Sequence, residues 1–168
     1  MADRNAKSLS HPVPLDRLDD EPRRASLEAS AEDRALLKER YDVESVEFLR
    51  GDLAVTRSGD IVRVTGTLKA ELGRICGVSL EPMTEHIDET FDVEYRVGAA
   101  EDPVGELEAD LDAPEPLTSD RIDLGDVLIE QLVLAMSPHP RKDDAQVPED
   151  PGAGRESSPF DVLKDLTS

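Results

Sequence analysis

The sequence predicts an α+β fold: an antiparallel sheet built from hairpins in a meander, barrel-like closure being one option, packed with two helices and flanked by disordered termini. Three observations carry this. Apolar and polar residues alternate for eleven positions over 62–72, and again with two interruptions over 83–97, which is the period of a strand with one wet face. Residues 31–40 and the stretch after Asp123 instead repeat at helical spacing behind a capping side chain. Acid, proline and glycine collect between 98 and 120 and again after 142, a composition that does not build packed elements.

Taken in order, residues 1–9 read as a flexible tail. His11-Pro12-Val13-Pro14-Leu15 is extended, because each proline biases the residue before it away from the helical region. Arg24–Ala29 is a short strand. Ser30 caps the first helix, with Asp33 three positions on in a capping-box arrangement. That helix spans 31–40 and turns Ala35, Leu36 and Leu37 inward. Val46 and Phe48 then alternate in one phase and Leu53 and Val55 in the other, so a bulge is expected near Gly51. Ser58-Gly59-Asp60 turns a hairpin. In its second arm Val62, Val64, Gly66, Leu68, Ala70 and Leu72 share one face, against Arg63, Thr65, Thr67, Lys69 and Glu71 on the other.

After Leu80-Glu81-Pro82, the residues Met83, Ile87, Phe91, Val93, Tyr95 and Val97 share a face that Glu85 and Glu89 interrupt where it meets solvent. The stretch 98–120 holds eight acids and no base, punctuated by Pro103, Pro114 and Pro116, and predicts a long acidic loop. Asp123 caps the second helix, with Leu124, Val127, Leu128, Gln131, Leu132 and Ala135 at helical spacing. Ile129, Val133 and Leu134 make it apolar nearly all round, so it should be well buried, and Ser137-Pro138 ends it. Residues 143–168 form a disordered tail of acid, proline, glycine and serine, with a short helix over 159–166. The organisation is thus one domain over 10–142 between two tails.

A chain of 168 residues with 38% apolar content can bury a core without staples. Its net charge of −20 repels phosphate backbones and membrane surfaces and attracts basic proteins. Acidity serving solubility alone is the plain alternative. The polar start Met1–Lys7 leads into no apolar run, so no signal peptide is expected. No run approaches the ~20 residues of a membrane span, and the expected location is cytoplasmic with no membrane partner. Cys76 is the single cysteine, which forbids an internal disulfide and a thiolate zinc cluster; a buried inert thiol is its plain reading. His11, His86 and His139 stand in no metal-ligand spacing, and no P-loop, G-x-S-x-G or dinucleotide fingerprint is present. Glu108–Asp112 is spaced like a calcium loop but lacks its glycine and closing glutamate. The expectation is therefore no enzyme, no catalytic residue, no metal, no cofactor and no small-molecule substrate. Arg63, Lys69, Arg74, Arg141 and Lys142 are the candidate contacts to RNA or a partner. No aromatic shares the face of Arg63 and Lys69 to stack a base, and DNA binding is not expected.

Three segments follow one another in the chain: Cys76-Gly77-Val78-Ser79-Leu80-Glu81-Pro82, Ile122-Asp123-Leu124-Gly125-Asp126 and Pro138-His139-Pro140-Arg141-Lys142. They close on Ser158-Pro159-Phe160 and Leu163. In this order they resemble the bacterial YceD-like family, the large ribosomal RNA subunit accumulation proteins, over roughly residues 11–166. The residues that carry the resemblance are Cys76, Leu80, Glu81, Pro82, Asp123, Leu124, Gly125, Pro140 and Arg141. It implies a non-enzymatic ribosome biogenesis factor supporting 23S rRNA accumulation, with basic ribosomal or RNA-processing proteins, or 23S rRNA itself, as partners. Some members carry a second cysteine in a C-x-x-C at the first segment, a metal-binding variant. Ser79 holds that position here, so zinc is not implied. Two readings follow: a protein-binding acidic surface, or a direct RNA-binding module built on the five cations. Arg141-Lys142 is the segment whose charge folding explains least.

Overall fold

The computed structural model describes residues 9–98 and 114–146. Most of the expected tails, the helix over 159–166 and most of the acidic stretch lie outside these residues; Leu9 and Ala145, at the inner ends of the two expected tails, are buried. Among these residues seven strands and two α-helices follow in order: β1 (Pro12–Pro14), β2 (Arg23–Glu28), α1 (Ala31–Tyr41), β3 (Ser45–Ser58), β4 (Ile61–Ile75), β5 (Pro82–Val97), β6 (Glu115–Leu117), β7 (Arg121–Asp123) and α2 (Leu124–Ala135).

The fold is α+β. Strands β2, β3, β4 and β5 form an antiparallel meander, β6 adds in parallel beside the end of β5, and β1 pairs with β7 in a separate two-stranded ribbon. The five-stranded sheet is open, running from β2 at one side to β6 at the other, so it does not close as a barrel. Val62, Val64, Leu68 and Leu72 of β4 are fully covered, as the alternation requires, and they share one core with Leu124, Leu128 and Leu132 of α2.

Four expectations change. The bulge lies between Val46 and Phe48, not at Gly51. Gly51 sits in regular register opposite Leu68, and a Cβ there would lie 2.5 Å from Leu128 Cδ1, so its role is to let α2 approach the sheet. On α1 the capping box forms between Ser30 and Asp33 as expected, but only Leu37 of the three proposed inward residues is buried; Ala35 is exposed and Leu36 is 55% exposed. Helix α2 is one-sided: Leu124, Val127, Leu128 and Leu132 are buried, while Val133 and Leu134 face solvent. The acidic stretch closes on β6, which pairs Glu115–Leu117 with Tyr95–Val97.

Candidate functional site

Between Ile75 and Pro82 the chain winds around one sulfur. The Leu80 N–H donates to the Cys76 carbonyl at 2.9 Å and the Cys76 N–H to the Glu81 carbonyl at 2.9 Å. Inside this turn Cys76 is 0% exposed. Its Sγ accepts from the amides of Val78 (3.5 Å), Ser79 (3.4 Å) and, from far along the chain, Lys142 (3.5 Å). The Ser79 hydroxyl foremost, then the Ser79, Lys142 and Val78 amides, hold the thiol down to about 6 against the effect of burial.

Leu80 occupies the left-handed region at φ 58 and is 75% exposed. For a leucine that backbone costs about 1 kcal/mol or more, and its side chain recovers none of it by burial. Folding alone does not account for this residue.

A second segment lies over the turn. Glu85 Oε1 accepts from the Ser137 N–H at 2.6 Å, and the Arg74 guanidinium donates to the Ser137 carbonyl at 3.2 Å. Arg74 and Glu85 are themselves joined at 2.6 Å, with side chains only 13% and 12% exposed. This clamp grips the chain just after α2. Beyond it, the Pro140 carbonyl accepts from the Gly77 N–H at 2.8 Å, and the Lys142 ammonium donates to Glu81 at 2.8 Å. The Lys142 contact holds the Glu81 carboxyl below its usual range and raises the Lys142 ammonium. Two segments more than fifty residues apart in sequence thus form one surface, with Leu80, His139 and Arg141 among its exposed residues. Arg141 turns its guanidinium onto the Ala145 carbonyl at 3.0 Å.

The five proposed cationic contacts do not assemble into one patch. Arg74, Arg141 and Lys142 lie at this turn. Arg63 and Lys69 stand on the outer face of the sheet, where Arg63 makes a two-pronged contact with Asp92 (Nε to Oδ1 2.7 Å) and Lys69 meets Asp88 at 2.7 Å. Asp123, Leu124 and Gly125 are at the opposite end of α2, in a structural role. Asp123 Oδ1 accepts from the amides of His11 (2.7 Å) and Gly125 (2.9 Å), and Leu124 is fully buried. Glu85 does not sit at the solvent border as expected, since Arg74 and the Ser137 amide draw it inward. An acid on the apolar parity of β5 was the available signal, because such a group needs a cationic partner.

A tetrahedral zinc site needs more than this turn supplies: one sulfur, with serine at 79. Among the described residues no group of three His, Cys, Asp or Glu could hold a metal ion, and no helix is long and apolar enough to cross a membrane.

The family model described as large ribosomal RNA subunit accumulation protein YceD matches residues 64–167, which is more than half of the chain. No curated protein and no solved structure matches the sequence.

Proposed function

The chain belongs to the YceD family, and from that membership we propose a cytoplasmic, non-enzymatic ribosome biogenesis factor that supports accumulation of the large-subunit rRNA through protein contacts of an acidic surface. One observation favours this over a direct grip on RNA. A phosphate backbone is held by cations left available to it, yet here Arg63, Lys69, Arg74 and Lys142 each engage a carboxylate of the same chain. With a net charge of −20, the surface suits the basic proteins that assemble on rRNA. The turn around Cys76, with exposed Leu80 and Arg141, is the place for a specific contact.

Removing the chain from cells should lower large-subunit rRNA relative to small-subunit rRNA, with the wild-type chain restoring the ratio and Arg141→Glu restoring it less. An unchanged ratio on removal defeats the proposal. Arg141, the one member of the five not ion-paired among the described residues, favours a second reading of direct RNA contact. Titrating labelled large-subunit rRNA fragments separates the two: binding that weakens with added salt and with Arg141→Ala supports the RNA reading.

A further inference from the structure

We propose that the open edge of β5 receives an extended strand from a basic partner, with lysine or arginine on its outward side and apolar residues on its inward side. This rests on the acidic-surface reading above and gives it a place and a geometry.

Strand β5 runs from Pro82 to Val97, but β6 covers only Tyr95–Val97, so residues 82–94 border no further strand among the described residues. The backbone is aimed for pairing. The Val97 N–H turns toward the β4 side, to the Asp60 carbonyl at 2.7 Å, and the Gly98 N–H toward the β6 side, to the Leu117 carbonyl at 3.2 Å. Backbone groups alternate sides along a strand, and β5 pairs with β4 without a register shift. The even residues from Thr84 to Glu94 therefore direct N–H and C=O to the open edge. That β6 already adds beside β5 shows that this edge takes a strand.

Acids along an exposed edge can serve only to keep other chains off, and Asp88, Asp92 and Glu94 line the outward face of β5, where Asp88 and Asp92 pair with Lys69 and Arg63 of β4 on one side and remain about half exposed or more. Repulsion needs no recess, however, and one is present on the inward side. A concavity of about 380 Å³ lies between this edge and α2, lined by Glu89, Thr90, Phe91, Gln131, Leu134 and Ala135, with Leu134 77% exposed. A strand added here would alternate its side chains between the acidic outward face and this recess.

The chain's own flanking segments fit poorly. Residues 99–113 carry six acids and no base, and 147–168 carry five acids against Arg155 and Lys164, which would set like charges opposite each other. A cationic strand from another protein complements the edge.

The test uses the full-length protein and a short synthetic peptide alternating lysine and valine, followed by fluorescence anisotropy at low salt. Two further versions carry N-methyl groups on every lysine or on every valine amide, which keeps the charge and removes one row of donors. The parent peptide should bind, and one of the two methylated versions should lose at least about tenfold in affinity. Amides of Asp88, Thr90 and Asp92 should gain protection from hydrogen exchange on binding. If both methylated versions bind like the parent, charge alone holds the peptide and the edge inference fails while the acidic-surface reading stands. Protection confined to other parts of the chain likewise overturns it. No binding of the parent peptide overturns both.

Discussion

A methyl group on Gly125 would lie 2.0 Å from the Leu9 carbonyl oxygen and 2.6 Å from its carbon. Backbone cannot swing aside as a side chain can, so Gly125→Ala should release the N-terminal segment from α2. Overpacking of this kind costs about 3 kcal/mol, readable as a lowered urea midpoint with faster exchange of the β1 amides. Asp123, two residues earlier, predicts a pH effect. Burial works to raise its carboxyl, but bonds from Ser10, His11, Gly125 and Asp126 outweigh it and hold the group below its ordinary value. Its stabilisation is therefore present above the ordinary aspartate value of about 3.9 and is lost as pH falls through the folded-state value. The stability gap between wild type and Asp123→Asn should be constant above about pH 5 and close below about pH 4. Leu80 predicts the opposite pairing of effects. Leu80→Gly relieves the left-handed backbone and should keep or raise stability by up to about 1 kcal/mol, while complementing rRNA accumulation less well than wild type. Caps and close-approach glycines of this sort were legible only in part. Ser30 and Asp123 announce themselves locally, whereas the need for Gly51 comes from Leu128, seventy-seven positions away, and no local pattern carries that.

At the scale of elements, the long strands β4 and β5 followed from period alone, because each has one side in the core and one in water over most of its length. The three-residue strands β6 and β7 did not. At that length propensity decides nothing, and each exists because of its partner: Tyr95–Val97 for β6 and Pro12–Pro14 for β7. The phase of α1 differs from the expectation for a related reason. Its register is set by Leu37 against the core, and a helix that short offers two leucines in adjacent positions with nothing local to choose between them. The join between α2 and the Cys76 turn rests on Arg74, Glu85 and Ser137. Glu85→Ala leaves Arg74 nearly buried without its carboxylate and the Ser137 amide without its acceptor, and should cost about 3–5 kcal/mol. In a double-mutant cycle the loss with Arg74→Ala added should be clearly less than the sum of the two single losses. Additive losses would mean that the two side chains act separately.

For the whole molecule, the net charge of −20 opposes compaction by self-repulsion, and salt screens it. Melting temperature should therefore rise as ionic strength increases from about 10 to about 150 mM. A fall over that range would show that the ion pairs on the outer sheet face outweigh the excess of acid. Fold class and charge were legible because both are sums over many residues. The site was legible as separate segments but not as one surface, since nothing in the spacing of residues 76–82 and 138–142 says that Gly77 meets Pro140 or that the Lys142 amide reaches Cys76.

Placing α2 last in the described domain also sets a schedule for the nascent chain. The hairpin of β3 and β4 and the strand β5 are complete once Val97 has been translated, but the helix that covers their apolar side ends only at Ala135. At about 5–20 residues per second, elongation leaves that side uncovered for several seconds. Throughout that interval the growing chain presents the apolar side of β4 and β5, with only α1 in place against β3. The residues synthesised after it, 98–120, carry eight acids and no base, so mutual repulsion would hold neighbouring nascent chains apart until the helix arrives.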